Sequence, residues 1–256
     1  MICPMWSFLA LCLLITACAH SGFVPDEKSG FVLVAGARPY YVYLPKDWQA
    51  APHPVIVYMH GSEERGDDPV RATQVGLGPV AQRSRGTFPF IVVFPQAPRG
   101  SYFGMPENNA RVLAALDEVL ARYHGDPDRV YLTGNSLGGY GTWFLGALAP
   151  ERFAALVPIC GGVRGTASKG GPFAAFSDNE RPKEIARRLA GKPIWIFHGE
   201  DDWMVPVRNS REMATVLKAA GNEVRFTEYA GVGHNAWDRA YADPALWKWL
   251  LAQRRH

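Results

Sequence analysis

Cysteine is scarce in the body of this chain. Of the four present, Cys3, Cys12 and Cys18 stand near the N-terminus and Cys160 is alone further on. One thiol closes no internal disulfide, and no cysteine cluster is spaced to hold a metal. Charge of one sign is missing as well. The 27 Lys and Arg set against 24 Asp and Glu leave a net of +3 without a basic stripe, which argues against a nucleic-acid partner. The N-terminal apolar run, residues 5–17 (MWSFLALCLLITA), is shorter than the ~20 residues that a membrane-spanning helix needs.

That run has the length of the apolar region of an export signal, and it ends in small residues. Ile15-Thr16-Ala17-Cys18 resembles the lipobox of bacterial lipoproteins, whose cysteine is lipidated and becomes the new N-terminus after cleavage. The expectation is a lipoprotein-type signal peptide over 1–17, lipidation at Cys18, a polar tether over 18–30 and a folded domain over 31–256. Such a protein is exported to the periplasm or cell surface and held on a bacterial membrane by its lipid. No Lys or Arg precedes the run, although signal peptides usually begin with positive charge. Plain secretion with cleavage nearby and an uncleaved anchor are the alternatives.

A chain of 256 residues that is 48% hydrophobic fits one large α/β domain with a sizeable core. Residues 31–34 and 38–44 read as an edge hairpin closed by Pro45. Buried runs that read as strands follow at 55–59, 90–94, 130–133 and 194–197, with further strands at 156–159 and 224–229. Between them, residues 109–123 carry Val112, Leu113, Leu116, Val119, Leu120 and Tyr123 on one helical face, and 208–220 carry Met213, Val216 and Leu217. Strands alternating with helices predict a mostly parallel central sheet flanked by helices on both faces. Residues 163–180 hold few apolar positions and read as a loop or small flap, too short for a lid domain.

The chain is organised around residues 129–146, RVYLTGNSLGGYGTWFLG. A strand runs into Gly134-Asn135-Ser136-Leu137-Gly138 and out into a helix. Ser136 at the tip of such a turn needs glycine on either side, where a side chain would strike backbone. The turn lifts the serine Oγ above the strand and leaves the Leu137 N–H at a helix N-terminus, facing whatever Ser136 attacks.

A serine nucleophile needs a base, and the base needs an acid to hold its tautomer. His234, in the loop after the last strand, fills the first role. Asp201 and Asp202, after the 194–197 strand, compete for the second, and spacing to Val205-Pro206 favours Asp202. A second oxyanion donor is expected from His60-Gly61-Ser62, at the N–H of Ser62 or the neighbouring Gly61. His60 precedes Ser136 and reads as packing rather than as the base. Glu63, Glu64 and Arg65 read either as a solvated charged loop or as an ion pair bracing the oxyanion loop. Tyr102, Phe103 and Met105 read either as cleft lining or as packing, and Cys160 as a buried small residue.

These residues resemble the α/β-hydrolases. Among them the chain is most similar to exported esterases related to polyhydroxybutyrate depolymerase, feruloyl and acetylxylan esterases, and to prolyl-oligopeptidase-like peptidases. The matching pieces are Tyr41-Val-Tyr-Leu-Pro45, His60-Gly-Ser-Glu-Glu-Arg-Gly66, Gly134-Asn-Ser-Leu-Gly-Gly-Tyr-Gly141, His198-Gly-x-x-Asp202-x-x-Val-Pro206 and Gly233-His234. The resemblance implies an α/β-hydrolase catalytic domain over 31–256, Asp202 as the acid, and hydrolysis of a small-molecule or polysaccharide-linked ester without metal or cofactor. Peptidase or amidase action, acyl transfer to another acceptor, and a non-catalytic glycan-binding scaffold are the competing readings.

Overall fold

The computed structural model describes residues 28–165 and 171–255. The export signal expected over 1–17, the lipidation expected at Cys18 and all but residues 28–30 of the tether expected over 18–30 lie outside the described residues. Eight strands form one sheet: β1 (Phe31–Val34), β2 (Tyr40–Tyr43), β3 (His53–Met59), β4 (Ile91–Phe94), β5 (Gly125–Asn135), β6 (Ala155–Ile159), β7 (Ile194–Gly199) and β8 (Val224–Tyr229). Their order is β1-β2-β4-β3-β5-β6-β7-β8. β2 pairs antiparallel with both β1 and β4, while every other neighbouring pair is parallel. The mostly parallel sheet is the one that the alternating pattern predicted, and the fold is the α/β-hydrolase one that the resemblance implied.

All of β3 is buried because both of its faces are covered. Val55, Val57 and Met59 belong to one buried cluster with Val112, Leu116 and Val119 of α2 (Pro106–Arg122), and the cluster continues along the sheet to Ile185 of α4 (Arg181–Arg188) and Met213 and Leu217 of α5 (Arg208–Ala219). Ile56 and Tyr58 point the other way, to Leu77 and Ala81 of α1 (Leu77–Arg83), Tyr241 of α6 (Trp237–Ala242) and Leu246 and Leu250 of α7 (Pro244–Leu251). Each such aliphatic side chain stabilises the fold by about 1.5–3 kcal/mol when fully buried.

Three short helices, α1, α4 and α6, go beyond what the periodicity indicated. In α4 the apolar face is reduced to Pro182, Ile185 and Ala186, and Glu184 pairs with Arg187 and Arg188. β5 begins at Gly125, well before the apolar run at Val130, and its pairing with β3 shifts register between His53 and Val55. The described part of the 163–180 loop lies down on the body. Phe173 stacks on Phe144 of α3 (Leu137–Leu148), with centroids 5.9 Å apart, and the buried Arg181 donates to the carbonyls of Val163, Phe173 and Phe176. No lid domain stands over the sheet among the described residues. The loops after β3, β5, β7 and β8 therefore share one open edge, where α/β sheets place their chemistry.

Candidate active site

Ser136 caps α3 with φ 54° and ψ −116°, a backbone state that L-residues rarely adopt. Two contacts fix it there. Its N–H donates to the Ile159 carbonyl at 3.0 Å, and the chain on either side passes too close to β3 for any side chain. A Cβ on Gly134 would lie 2.5 Å from the Met59 carbonyl oxygen, and one on Gly138 only 1.8 Å from it. Glycine at these two positions is a steric requirement of the elbow.

The structure brings Ser136, His234 and Asp202 together. His234 Nδ1 lies 2.7 Å from Asp202 Oδ2, and its Nε2 lies 2.9 Å from Ser136 Oγ. A carboxylate only accepts, so Nδ1 carries the proton and Nε2 is left to accept from the serine hydroxyl. Trp237 stands edge-on to the imidazole at 5.5 Å. The Asp202 carboxylate is wholly enclosed: Oδ1 accepts from the N–H groups of Met204 (3.0 Å) and Val205 (2.8 Å), and Oδ2 from His234. Burial alone would push this carboxyl up. The hydrogen bonds from His198, His234 and the Val205 N–H outweigh it and hold Asp202 well below the ordinary carboxylate range. Asp201, the competing acid, is exposed.

Of the expected oxyanion donors, the Leu137 N–H opens α3, and neither it nor the Ser62 N–H finds a partner among the described residues. Gly61, the alternative to Ser62, has the Glu64 carboxylate beside it. A Cβ on Gly61 would sit 3.0 Å from Glu64 Oε2 and 3.8 Å from the Ser136 Cβ, so this loop runs directly beside the nucleophile.

Neither sequence reading of residues 63–65 describes that loop. Arg65 makes no ion pair among the described residues; its Nε donates to the Ser62 carbonyl at 2.8 Å and a terminal nitrogen to the Ser101 carbonyl at 3.3 Å. Arg71 and Gln96 hold the carbonyls of Glu63 and Glu64. Glu64 is partly buried, which pushes its carboxyl up, partly offset by the N–H groups that it accepts from. The loop is thus fastened by side chains bonding to its backbone, a pattern that residue identities alone do not reveal.

His60 is fully enclosed behind the loop. Its Nδ1–H donates to the Gly61 carbonyl at 2.6 Å and its Nε2 accepts from the Ala97 N–H at 3.0 Å, with Phe103 edge-on at 4.9 Å. Burial pushes its pKa down to about 4. Phe103 is accordingly packing, while Tyr102 and Met105 remain half-buried beside it. The large apolar side chains exposed next to the acid are Trp203 and Met204, which composition gave no reason to single out.

Cys160 lies under the triad, and its sulfur, an Asp202 oxygen and a His234 nitrogen fall within 4.8 Å of one another. These atoms suit the relay better than a metal. Burial pushes the thiol well above its usual range and keeps it protonated, and the other two groups already satisfy each other. His198, on β7, makes a further contact that sequence reasoning missed. Its Nε2 lies 3.1 Å from the same Asp202 Oδ2 that holds His234.

Comparison with known proteins agrees with this geometry. The uncharacterized peptidase YuxL of Bacillus subtilis is 29% identical over 208 residues, 72% of this chain but 31% of its own length. Feruloyl esterase B of Neurospora crassa is 27% identical over 220 residues, covering 82% of this chain and 68% of the esterase. A solved thermostable esterase superposes with a TM-score of 0.70 at 30% identity, over 90% of this chain and 64% of that one. The chain thus spans less than a third of YuxL and under two thirds of the solved esterase. The sequence profile of the Prolyl oligopeptidase family matches residues 109–254, which include the nucleophile, the acid and the base, and the chain belongs to that family of α/β-hydrolases.

Proposed function

We propose that this chain is a serine hydrolase that cleaves carboxylic esters through an acyl-enzyme. The observation that carries the reading is the continuous path from Ser136 Oγ through His234 to an enclosed, ionised Asp202. Oγ attacks the ester carbonyl as its proton passes to His234 Nε2, and the carbonyl oxygen, now negative, is met by the Leu137 and Ser62 N–H groups. Collapse breaks the bond to the alcohol, which leaves with the proton from Nε2. Water then enters, gives a proton to Nε2 and attacks the acyl-serine; the acid departs and Oγ regains its proton. Asp202 keeps the imidazole in one tautomer throughout and stabilises its charged form.

Support for an ester over a peptide comes from the 30% identity to a solved esterase over most of the chain and from the feruloyl esterase relative. Trp203 and Met204 offer an apolar surface beside the acid for a ring-bearing acyl or alcohol group. Peptide hydrolysis is the second reading, favoured by the family itself and by YuxL. Purified protein should hydrolyse short aryl esters, feruloylated sugars or acetylated xylan and leave peptide anilides intact. Cleavage of the anilides at comparable kcat/KM would reverse the order.

The export reading stands as part of the same proposal, with Cys18 lipidated and the enzyme held at a bacterial membrane. Mass spectrometry of the mature N-terminus should find a diacylglyceryl-modified Cys18. An unmodified terminus elsewhere would make the missing basic start the better clue.

A further inference from the structure

His198 belongs to the His198-Gly-x-x-Asp202 stretch, yet the hydrolytic steps above give it no task. It is fully buried at the end of β7 and all its polar contacts lie within one cluster. Nε2 lies 2.7 Å from the Val205 carbonyl and 3.1 Å from Asp202 Oδ2, and Nδ1 lies 2.7 Å from Ser210 Oγ on α5. The protons can be placed by elimination. A carbonyl and a carboxylate only accept, so Nε2 carries hydrogen and shares it between the two. With Nε2 as the donor, the neutral ring offers a lone pair at Nδ1, and the Ser210 hydroxyl donates to it.

The geometry points to His198 as a positioning residue for catalysis, acting through Asp202 on His234. Asp202 Oδ2 receives two imidazoles, His234 at 2.7 Å and His198 at 3.1 Å, while Oδ1 receives two backbone N–H groups. Four donors fix the carboxylate plane. The Val205 carbonyl ties His198 to the same turn that supplies the Val205 N–H, so carboxylate and imidazole are held by one short piece of chain. Ser210 closes the relay from behind by donating its hydroxyl proton to Nδ1, which steadies the ring in the tautomer that the two acceptors at Nε2 impose. Ser210, His198, Asp202, His234 and Ser136 thus form a chain of five side chains, three of which take part in the acyl transfer. The inference rests on the serine-hydrolase reading for those three and adds the two behind them.

A double-mutant cycle separates this role from simple packing. His198→Leu, Asp202→Asn and the double variant are compared with wild type, using kcat and KM on an aryl acetate and the rate of fluorophosphonate labelling of Ser136. The labelling rate reports the triad even if no aryl ester proves to be a substrate, so the substrate reading can fail without taking this test with it. Near-UV circular dichroism checks the fold. Residues that orient the ligands of a metal site typically matter by about 10–100-fold, and a residue orienting a triad acid is taken to act on the same scale. His198→Leu should lower kcat and the labelling rate by that factor with KM nearly unchanged, and cost less than about threefold once Asp202 is Asn. Ser210→Ala should show a smaller loss, about three- to tenfold, that likewise disappears in the Asp202→Asn background. If His198→Leu does not fold, the Ser210 cycle decides alone. Equal factors in both backgrounds, or no loss in the wild-type background, would overturn the inference.

Discussion

Asp201 and Asp202 are chain neighbours in opposite surroundings. The Asp202 carboxylate has no solvent exposure and four donors, whereas Asp201 is exposed and, among the described residues, is hydrogen-bonded through its backbone N–H to the Val232 carbonyl. Asp202→Asn should lower kcat by about 10⁴, because the amide no longer enforces the tautomer that presents Nε2 to serine. Asp201→Asn should change kcat less than about threefold. Steady-state rates on an aryl ester check both, and comparable losses in the two variants would show that the acid has been misassigned.

Ser136 pays for its position in backbone strain, at φ 54° and ψ −116°. Ser136→Ala removes the nucleophile and keeps the strain; Ser136→Gly removes both. Both variants should be inactive, and the glycine variant should be the more stable by roughly 1 kcal/mol, since relief of about 1–3 kcal/mol exceeds glycine's entropic cost of about 0.5–1 kcal/mol. Thermal unfolding of the pair measures this. A glycine variant that melts below the alanine one contradicts it.

His60 should make the fold acid-sensitive above the carboxylate range. Its pKa is near 6.5 in the unfolded chain and about 4 in the folded one, so between those values the unfolded state binds a proton that the folded state refuses. Stability is therefore whole above about pH 6.5 and declines by roughly 3 kcal/mol as pH falls toward 4. Urea unfolding at pH 7 and pH 4.5 should show a larger drop for wild type than for His60→Gln. Equal drops would mean that other groups carry the effect.

Gly138→Ala should fail at the elbow. Its Cβ would stand 1.8 Å from the Met59 carbonyl oxygen and 2.8 Å from that of His60, and both are backbone atoms that cannot swing aside. The expected result is insoluble protein, or folded protein with activity reduced at least 100-fold through displacement of the 60–62 loop. Soluble variant protein with full turnover would show that β3 yields more easily than its burial implies.

Much of the site was legible in sequence because steric and chemical requirements were written next to one another. Gly134 and Gly138 flank Ser136 since no other residue fits, and His234 follows the last strand in an open loop. What remained hidden was either spatial or too short to show a period. His198 meets Asp202 through the turn at 203–205, and Ser210 reaches it from α5, so no linear motif joins all three. Arg65 looked like half of an ion pair because its neighbours are acidic, but its partners are backbone carbonyls contributed by the fold. α4 escaped notice because eight residues whose buried apolar side chains are Pro182, Ile185 and Ala186 barely mark a helical face.

The lone body cysteine has a use that its chemistry suggests. Cys160 is inaccessible, and burial holds it as a thiol, so a maleimide or disulfide reagent should pass over the native domain. Labelling then requires the ground beneath the triad to open, and when reclosing is fast the labelling rate reads out the free energy of that opening. Residue 160 is a built-in clock for how often the floor of the active site comes apart. The same clock would register whether an acyl group on Ser136 slows it.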